Sequence, residues 1–378
     1  MTDQAPVLTR DNDLLWRDMG AEYMRLVPGA LQGRAFDGEY TRLCEQEIRL
    51  RTGRRHAFMC HSGSAALQLA MLALDVGPGT EVICPNYGYV ASVNQVSVVG
   101  ATPRFVEVDR WGHIDADLVE REIRPETKAI VVAGLYGDNP DLARLAQIAT
   151  RHGIRLINDA AQSNFGEHAG GRQDQYGDVV CYSFGNNKLC STFITYGCIA
   201  TDDATLADRL RLMRTHGKAG RDHPIAHVGI NSQPHEDKCL QVWLALQRVD
   251  GWIQRRQEIG RRYDTAFSAA GVDYRSVAPN NTSVRSKYAV FFRDRDRAHD
   301  LLLAEGIHTE KHYRDNFGQG VLAVHPLEHT PNTTHYNRHS LSIPMQAYLT
   351  DSQVERVIGA VIQQSDREGA DPFKYTHD

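Results

Sequence analysis

Residues 158–203 read NDAAQSNFGEHAGGRQDQYGDVVCYSFGNNKLCSTFITYGCIATDD. The apolar run IRLI (154–157) leads into this stretch and is followed by an acid, Asp159. A second run, VVCYSF (179–184), leads into a polar turn carrying Lys188, and a third, CIAT (198–201), ends on Asp202 and Asp203. Short apolar runs closed by polar turns have the length and pattern of buried strands. An acid beyond one strand and a lysine beyond a later one are what a pyridoxal phosphate site needs. The lysine amine condenses with the cofactor aldehyde to form a Schiff base. The acid keeps a proton on the pyridine nitrogen, so that the ring can take up electrons from a carbanion. Each residue also has a plainer reading: an aspartate after a buried strand often caps a helix, and a lysine in a polar turn is usually solvated.

Upstream, the strand HAFMC (56–60) runs into HSGSAALQLAMLAL, a Ser-Gly-Ser turn that opens a long apolar helix. Free backbone amides and hydroxyls at a positive helix end suit a phosphate, which makes Ser62, Gly63 and Ser64 candidates; simple capping by a serine needs no ligand. The strand EVICP (81–85) is followed by Tyr87 and Tyr89. An aromatic placed there can stack on a flat cofactor ring or can be a packing residue. The segment AIVVAGLYGDNPDLARLAQIATRHG (129–153) is a strand, a turn and an amphipathic helix before the strand that brings Asp159. This alternation predicts a mainly parallel sheet covered by helices, with ligands gathered at the carboxyl ends of its strands. Ser62, Tyr89, Tyr136, Asp159 and Lys188 all fall just beyond predicted strand ends, and their convergence is the argument for a site.

Residues 1–35 read as an arm leading into a helix with Leu14, Leu15 and Met19 at helical spacing, and Gly53 is the expected stop of a second helix. A long polar stretch, 218–237, contains His223, His227 and His235; no paired acids support a metal site there, and none is expected. One long helix over 239–271 is predicted to link two domains, 1–250 and 251–378. Beyond it the pattern becomes α+β: KYAVFFRD as an exposed-edge strand, DRAHDLLLAEG as a helix, IHTEKHY as a strand, then a closing helix and a polar tail, 366–378.

The 378 residues are 42% hydrophobic and 24% charged, as in a soluble globular protein long enough for one large and one smaller domain. A net charge of -5 gives no sign of a nucleic-acid partner. No apolar run approaches membrane-spanning length, so no membrane association is expected. Seven cysteines without CxxC pairs, and no signal peptide, predict reduced thiols and a cytoplasmic location.

Taken together these features resemble the DegT/DnrJ/EryC1/StrS family of fold-type I aminotransferases, from about Gly33 to Ala360. HSGSAAL (61–67) is similar to the family's SGTAAL turn, which binds the cofactor phosphate. PNYGYVASVN (85–94) resembles P-x-x-T-F-V-A-S-x-N, implying that Tyr89, not Tyr87, stacks on the ring. LYGDNPDL (135–142) resembles the YGxPxDM turn. NDAAQS (158–163) resembles EDAAQA/H, implying Asp159 as the pyridine-nitrogen partner with Gln162 beside the ring. SFGNNK (183–188) resembles SFxxxK, implying Lys188 as the Schiff-base lysine and Ser183 as a phosphate ligand. RTHGK (214–218) and VGIN (228–231) resemble RxHG and GxNxR, where Asn231 would reach the phosphate of a neighbouring subunit's cofactor. KHY (311–313) resembles a segment near the substrate, which makes His312 and Tyr313 acceptor contacts. LSIPMQAYLTDSQVERVI (341–358) resembles the closing LPxxxxLTxxQxxxVI.

The resemblance implies an α/β fold-type I architecture, a large mainly parallel sheet sandwiched by helices plus a smaller C-terminal α+β domain. It implies pyridoxal 5'-phosphate, a homodimer with shared active sites, and amino transfer from glutamate or glutamine to a keto-sugar attached to a nucleotide. A free keto-sugar or a keto-cyclitol is the alternative acceptor. Two departures bear on the substrate. The family's glycine-rich GEGGAVVTDD is ITYGCIATDD here, so that Ile194 and Tyr196 are expected to reshape the wall near the lysine, with Tyr196 a candidate substrate contact. Gln233 stands where the family commonly has arginine. The altered wall keeps a second reaction class open, an elimination or cyclisation on an amino-acid substrate. Some family members carry histidine in place of the lysine and catalyse dehydration; Lys188 argues against that branch.

Overall fold

Runs of β-branched and apolar residues bounded by polar turns do form the predicted strands. The computed structural model describes residues 5–33, 35–219 and 223–368. Among these, the strands in chain order are β1 His56–Cys60, β2 Glu81–Pro85, β3 Thr102–Val106, β4 Thr127–Ala133, β5 Arg155–Asp159, β6 Glu167–His168, β7 Gly171–Arg172, β8 Val179–Ser183, β9 Gly197–Thr201, β10 Asn281–Thr282, β11 Tyr288–Phe291 and β12 Ser340–Ile343. Seven of them make one sheet in the order β1-β9-β8-β5-β4-β2-β3. Neighbours pair in parallel except at β9, which runs against both β1 and β8.

The period of two divides each strand between two apolar layers. Val82, Val131 and Ile157 pack with the helix Gly63–Ala73, whereas Ile83, Ile130, Val132 and Leu156 pack with the helix Leu142–His152. The second helix is bounded by its own chemistry: the Asp141 carboxylate accepts from Arg144 N, and Gly153 closes the helix at φ 64°. Gly53 likewise ends the helix Glu39–Thr52 at φ 77°, as expected. At the amino end, Asp11 caps the helix Asn12–Gln32, which buries Leu15 and Met19. No helix of the described residues is long and apolar enough to cross a membrane.

Three readings of the C-terminal part are corrected. The predicted single helix over 239–271 is two, Glu236–Leu246 and Val249–Ala270. At the break Arg248 turns its guanidinium to Asp18 and Glu22 of the first helix, 2.8 and 3.0 Å away. The strand in KYAVFFRD is not an exposed edge, because all four residues of β11 are buried. Tyr288 and Val290 pack with Tyr263 of the helix Val249–Ala270, and Ala289 and Phe291 pack with Tyr136 and Tyr336. IHTEKHY is not a regular strand either. It touches β12 through one bridge, Glu310 to Ser342, and then leaves it, with Tyr313 N donating to Tyr87 Oη at 2.9 Å. The polar tail lies, from residue 369 onward, outside the described residues.

The turn after β4 ties the C-terminal part to the sheet. Asp138, fully buried, accepts from Arg275 Nη2 and from Ala278 N, both at 2.7 Å. Removing one partner leaves the other charge buried and unpaired. Asp138→Ala is therefore predicted to lower stability by about 3–5 kcal/mol. Urea unfolding measures this, and a loss of a few tenths of a kcal/mol would show that water replaces the aspartate.

Candidate active site

The strand ends deliver the residues singled out from the sequence. Ser62, Gly63 and Ser64 follow β1, Tyr89 follows β2, Asp159 ends β5, Ser183 ends β8 and Lys188 lies in the turn beyond it. All seven line one cavity of about 510 Å³, and His312 and Tyr313 close it from the C-terminal part.

Asp159 is 8% exposed. Its Oδ2 accepts from Ser92 Oγ at 2.6 Å and its Oδ1 from Ala161 N at 3.1 Å. Burial pushes its carboxyl above the usual carboxylate range, against the pull of those two bonds and of Lys188. No cation is hydrogen-bonded to it among the described residues. Burial also lowers the Lys188 ammonium, and Asp159 partly opposes that shift. The lysine Nζ stands 5.3 Å from the centre of the Tyr89 ring. Tyr89 is half exposed, with its face on the cavity, whereas Tyr87 is fully buried and bonded to the Tyr136 hydroxyl at 2.5 Å. Tyr89 thus lines the cavity, whereas Tyr87 and Tyr136 lie behind its wall.

The turn after β1 is built for close approach. Ser62 Oγ accepts from Ala65 N at 3.0 Å and the Ser62 carbonyl accepts from Ala66 N at 2.9 Å. Gly63 and Ser64 both line the cavity, and their amides have no hydrogen-bond partner among the described residues. A Cβ on Gly63 would lie 2.9 Å from that of Ser183, so only glycine lets the helix start meet the end of β8. A Cβ on Gly197 would run into the Ser62 carbonyl and come within 2.7 Å of Gly63 N. This explains why one glycine remains in ITYGCIATDD. Gly197→Ala is predicted to lose about 1–3 kcal/mol of stability through overpacking. It should also lose cofactor retention, read as absorbance after gel filtration; an unchanged band would mean that the turn has room to move.

Three predicted site residues lie elsewhere. Gln162 is one layer back, its Nε2 donating to Tyr313 Oη at 2.7 Å and its Oε1 accepting from Tyr136 N at 3.3 Å. Tyr196 is corrected: it is fully buried, and its hydroxyl accepts from His235 N at 2.5 Å. The packing of Gly197 on the Ser62 turn directs Tyr196 into the core beneath the first helices, and Thr195 lines the cavity instead. Asn231 is exposed, paired with Thr215 in a single bridge, and is not among the cavity's lining residues.

The structure adds residues that the sequence did not reveal. Ser92 is the hydroxyl partner of Asp159, and Lys287 is a second lysine on the cavity wall. The only local signal for Lys287 was a cation immediately before an apolar strand. His312 is held neutral: burial, with Lys287 and Lys188, pushes its imidazole down to about 2. Its approach to Glu310, 3.4 Å, is therefore no ion pair.

A cavity with an unpaired acid at one wall, an amine at another, an aromatic face between and free amides at a helix start suits a flat anionic cofactor. The DegT/DnrJ/EryC1/StrS aminotransferase family matches the chain over residues 18–362. The chain is 32% identical over 310 residues to the UDP-2-acetamido-2-deoxy-3-oxo-D-glucuronate aminotransferase of Pseudomonas aeruginosa, covering 82% of this chain and 86% of that one. It is 32% identical over 337 residues to the dTDP-3-amino-3,4,6-trideoxy-alpha-D-glucose transaminase of Streptomyces venezuelae, covering 88% and 86%. The crystal structure of S. venezuelae DesV in complex with a ketimine intermediate superposes with a TM-score of 0.91 at 31% identity, over 96% of this chain and 100% of that one. The chain belongs to the DegT/DnrJ/EryC1/StrS aminotransferase family and is a pyridoxal phosphate-dependent enzyme.

Proposed function

We propose that this enzyme moves an amino group from glutamate or glutamine to a keto-sugar carried on a nucleotide, in amino-sugar biosynthesis. The observation that carries the reading is the shared cavity, with Asp159 and Lys188 on its walls and the Tyr89 ring 5.3 Å from the lysine amine. The acceptor class is supported by relatives that act on UDP- and dTDP-linked sugars.

When bound, the cofactor supplies an aldehyde that takes up amines and a ring that draws electrons from the carbon beside them. Lys188 Nζ would hold the cofactor at rest and, once free, would take the proton from the donor α-carbon and return it; burial favours the neutral amine that this needs. Asp159 would keep a proton on the ring nitrogen and gain there the cation that its buried carboxylate lacks. Tyr89 would cover one face of the ring, with Gln162 acting from behind through Tyr313. The Gly63 and Ser64 amides, with the Ser62 and Ser183 hydroxyls, would hold the phosphate. Asn231, on the surface, reaches the phosphate in a neighbouring chain, so the working form is a homodimer. His312 and Tyr313 meet the acceptor.

The test is absorbance. Protein purified with pyridoxal phosphate is expected to show a visible band that L-glutamate or L-glutamine discharges, and the discharged enzyme should then aminate a UDP- or dTDP-linked 3-keto-sugar. A band that no donor discharges would overturn amino transfer; discharge without transfer to either sugar would overturn the acceptor class.

A further inference from the structure

Lys287 precedes β11 on the cavity wall, and nothing in the proposed chemistry uses it. Its side chain is 11% exposed. Its ion-pair partner, Glu310, is 3.7 Å away, beyond hydrogen-bond reach, and is itself bonded to Thr9 Oγ1 at 3.2 Å. Among the described residues the Lys287 ammonium therefore has one charge partner and no hydrogen-bond acceptor. A buried ammonium in that state is unfavourable unless a ligand completes it. Its surroundings are cationic as well. Burial pushes it down to about 8, with Glu310 pulling up and Lys188, Arg256 and Arg10 pressing in the same direction as burial. Arg256 Nη1 donates to the Ser286 and Met345 carbonyls. His312, close by, is neutral and brings no charge.

An amino donor carries its amine and a carboxylate on one carbon. When the amine takes the place of Lys188 Nζ, the carboxylate needs a cation near that position but distinct from it. We infer that Lys287 Nζ holds a carboxylate of the amino donor and so selects carboxylate-bearing donors over simple amines. This rests on the amino-transfer reading above. The phosphate turn at Ser62–Ser64 comes from a different wall, so the two anions of the reaction, cofactor phosphate and donor carboxylate, have separate holders.

The experiment uses holoenzyme with Lys287→Met and Lys287→Arg, following loss of the visible band with L-glutamate and, separately, with L-glutamine. For Lys287→Met the half-saturating concentration of both donors is expected to rise about tenfold to a hundredfold. The rate at saturation should change less, and arginine should restore much of the affinity; a merely structural role would give no such split and no such rescue. A rise with both donors assigns the α-carboxylate, and a rise with glutamate alone assigns its side-chain carboxylate. Unchanged half-saturation with both donors overturns the inference, while discharge of the wild-type band leaves amino transfer standing. A wild-type band that no donor discharges defeats amino transfer itself.

Discussion

Lys188→Ala is expected to keep its fold and lower multiple-turnover amino transfer by about 10²–10⁴-fold or more. In the proposed mechanism one side chain has two tasks, resting attachment of the cofactor and movement of the α-proton, and alanine can do neither. The stability side of the forecast is as specific. The Lys188 ammonium is disfavoured by burial and has no hydrogen-bond acceptor among the described residues, so its removal leaves nothing unpaired except a weak attraction to Asp159. Thermal unfolding without cofactor should therefore be unchanged or slightly improved. Small primary amines added to the variant should recover part of the proton transfer, since the cavity vacated by the side chain admits them. Steady-state assay and amine rescue check the two halves separately. Near-normal turnover by the alanine variant would remove Lys188 from the reaction.

The second large effect concerns Asp159→Asn, which should lower turnover by about 10²–10³-fold, the scale for losing one preorganised charge in a dry site. Asparagine Oδ1 can still accept from Ala161 N while its Nδ2 donates to Ser92 Oγ, so geometry survives while the charge that, in the proposed mechanism, holds a proton on the ring nitrogen does not. Stability should move the other way. The folded carboxyl titrates above its unfolded counterpart because it is buried. Its contribution in cofactor-free wild type is thus present below the unfolded value, about 3.9, and is lost as pH rises through the folded one. Cofactor-free Asp159→Asn should be as stable as wild type in acid and relatively more stable at neutral pH. Adding cofactor should narrow that gap, because the wild-type carboxylate then gains its cation. Paired pH–stability curves with and without cofactor check the sign; a variant less stable than wild type at neutral pH without cofactor would mean that the carboxylate already has a partner.

What could be read in advance was what neighbouring residues encode. Asp159 and Lys188 each sit directly after an apolar run, so the strand ends placed them. The Ser-Gly-Ser turn was legible for the same reason, whereas spacing left Tyr87 and Tyr89 equal and only the family likeness favoured Tyr89. Contacts between distant parts of the chain were not. Nothing around Ser92 announces that its hydroxyl meets Asp159. Nothing around Lys287 announces that the segment carrying it folds back onto the same cavity. Tyr196 looked like a wall residue because it replaces a small residue of the family's glycine-rich loop, but Gly197 packs closely on the Ser62 turn and the Tyr196 ring lies in the core. The burial of β11 on both sides came from two partners, the helix Val249–Ala270 and the turn after β4 with Tyr136, neither of which its own pattern reveals.

The His312 carbonyl lies within hydrogen-bond distance of three hydroxyls, Tyr87 at 2.7 Å, Tyr136 at 3.1 Å and Ser340 at 2.6 Å. Two of these come from the sheet and one from β12, and Tyr313 adds its own bonds to Tyr87 and Gln162. A backbone pinned at one atom from both sides has little freedom left to surrender when a sugar arrives. With His312 and Tyr313 as the proposed acceptor contacts, discrimination on this wall would be a matter of shape matching to a preset contour. Freeing that carbonyl through Tyr87→Phe or Ser340→Ala is then expected to relax specificity.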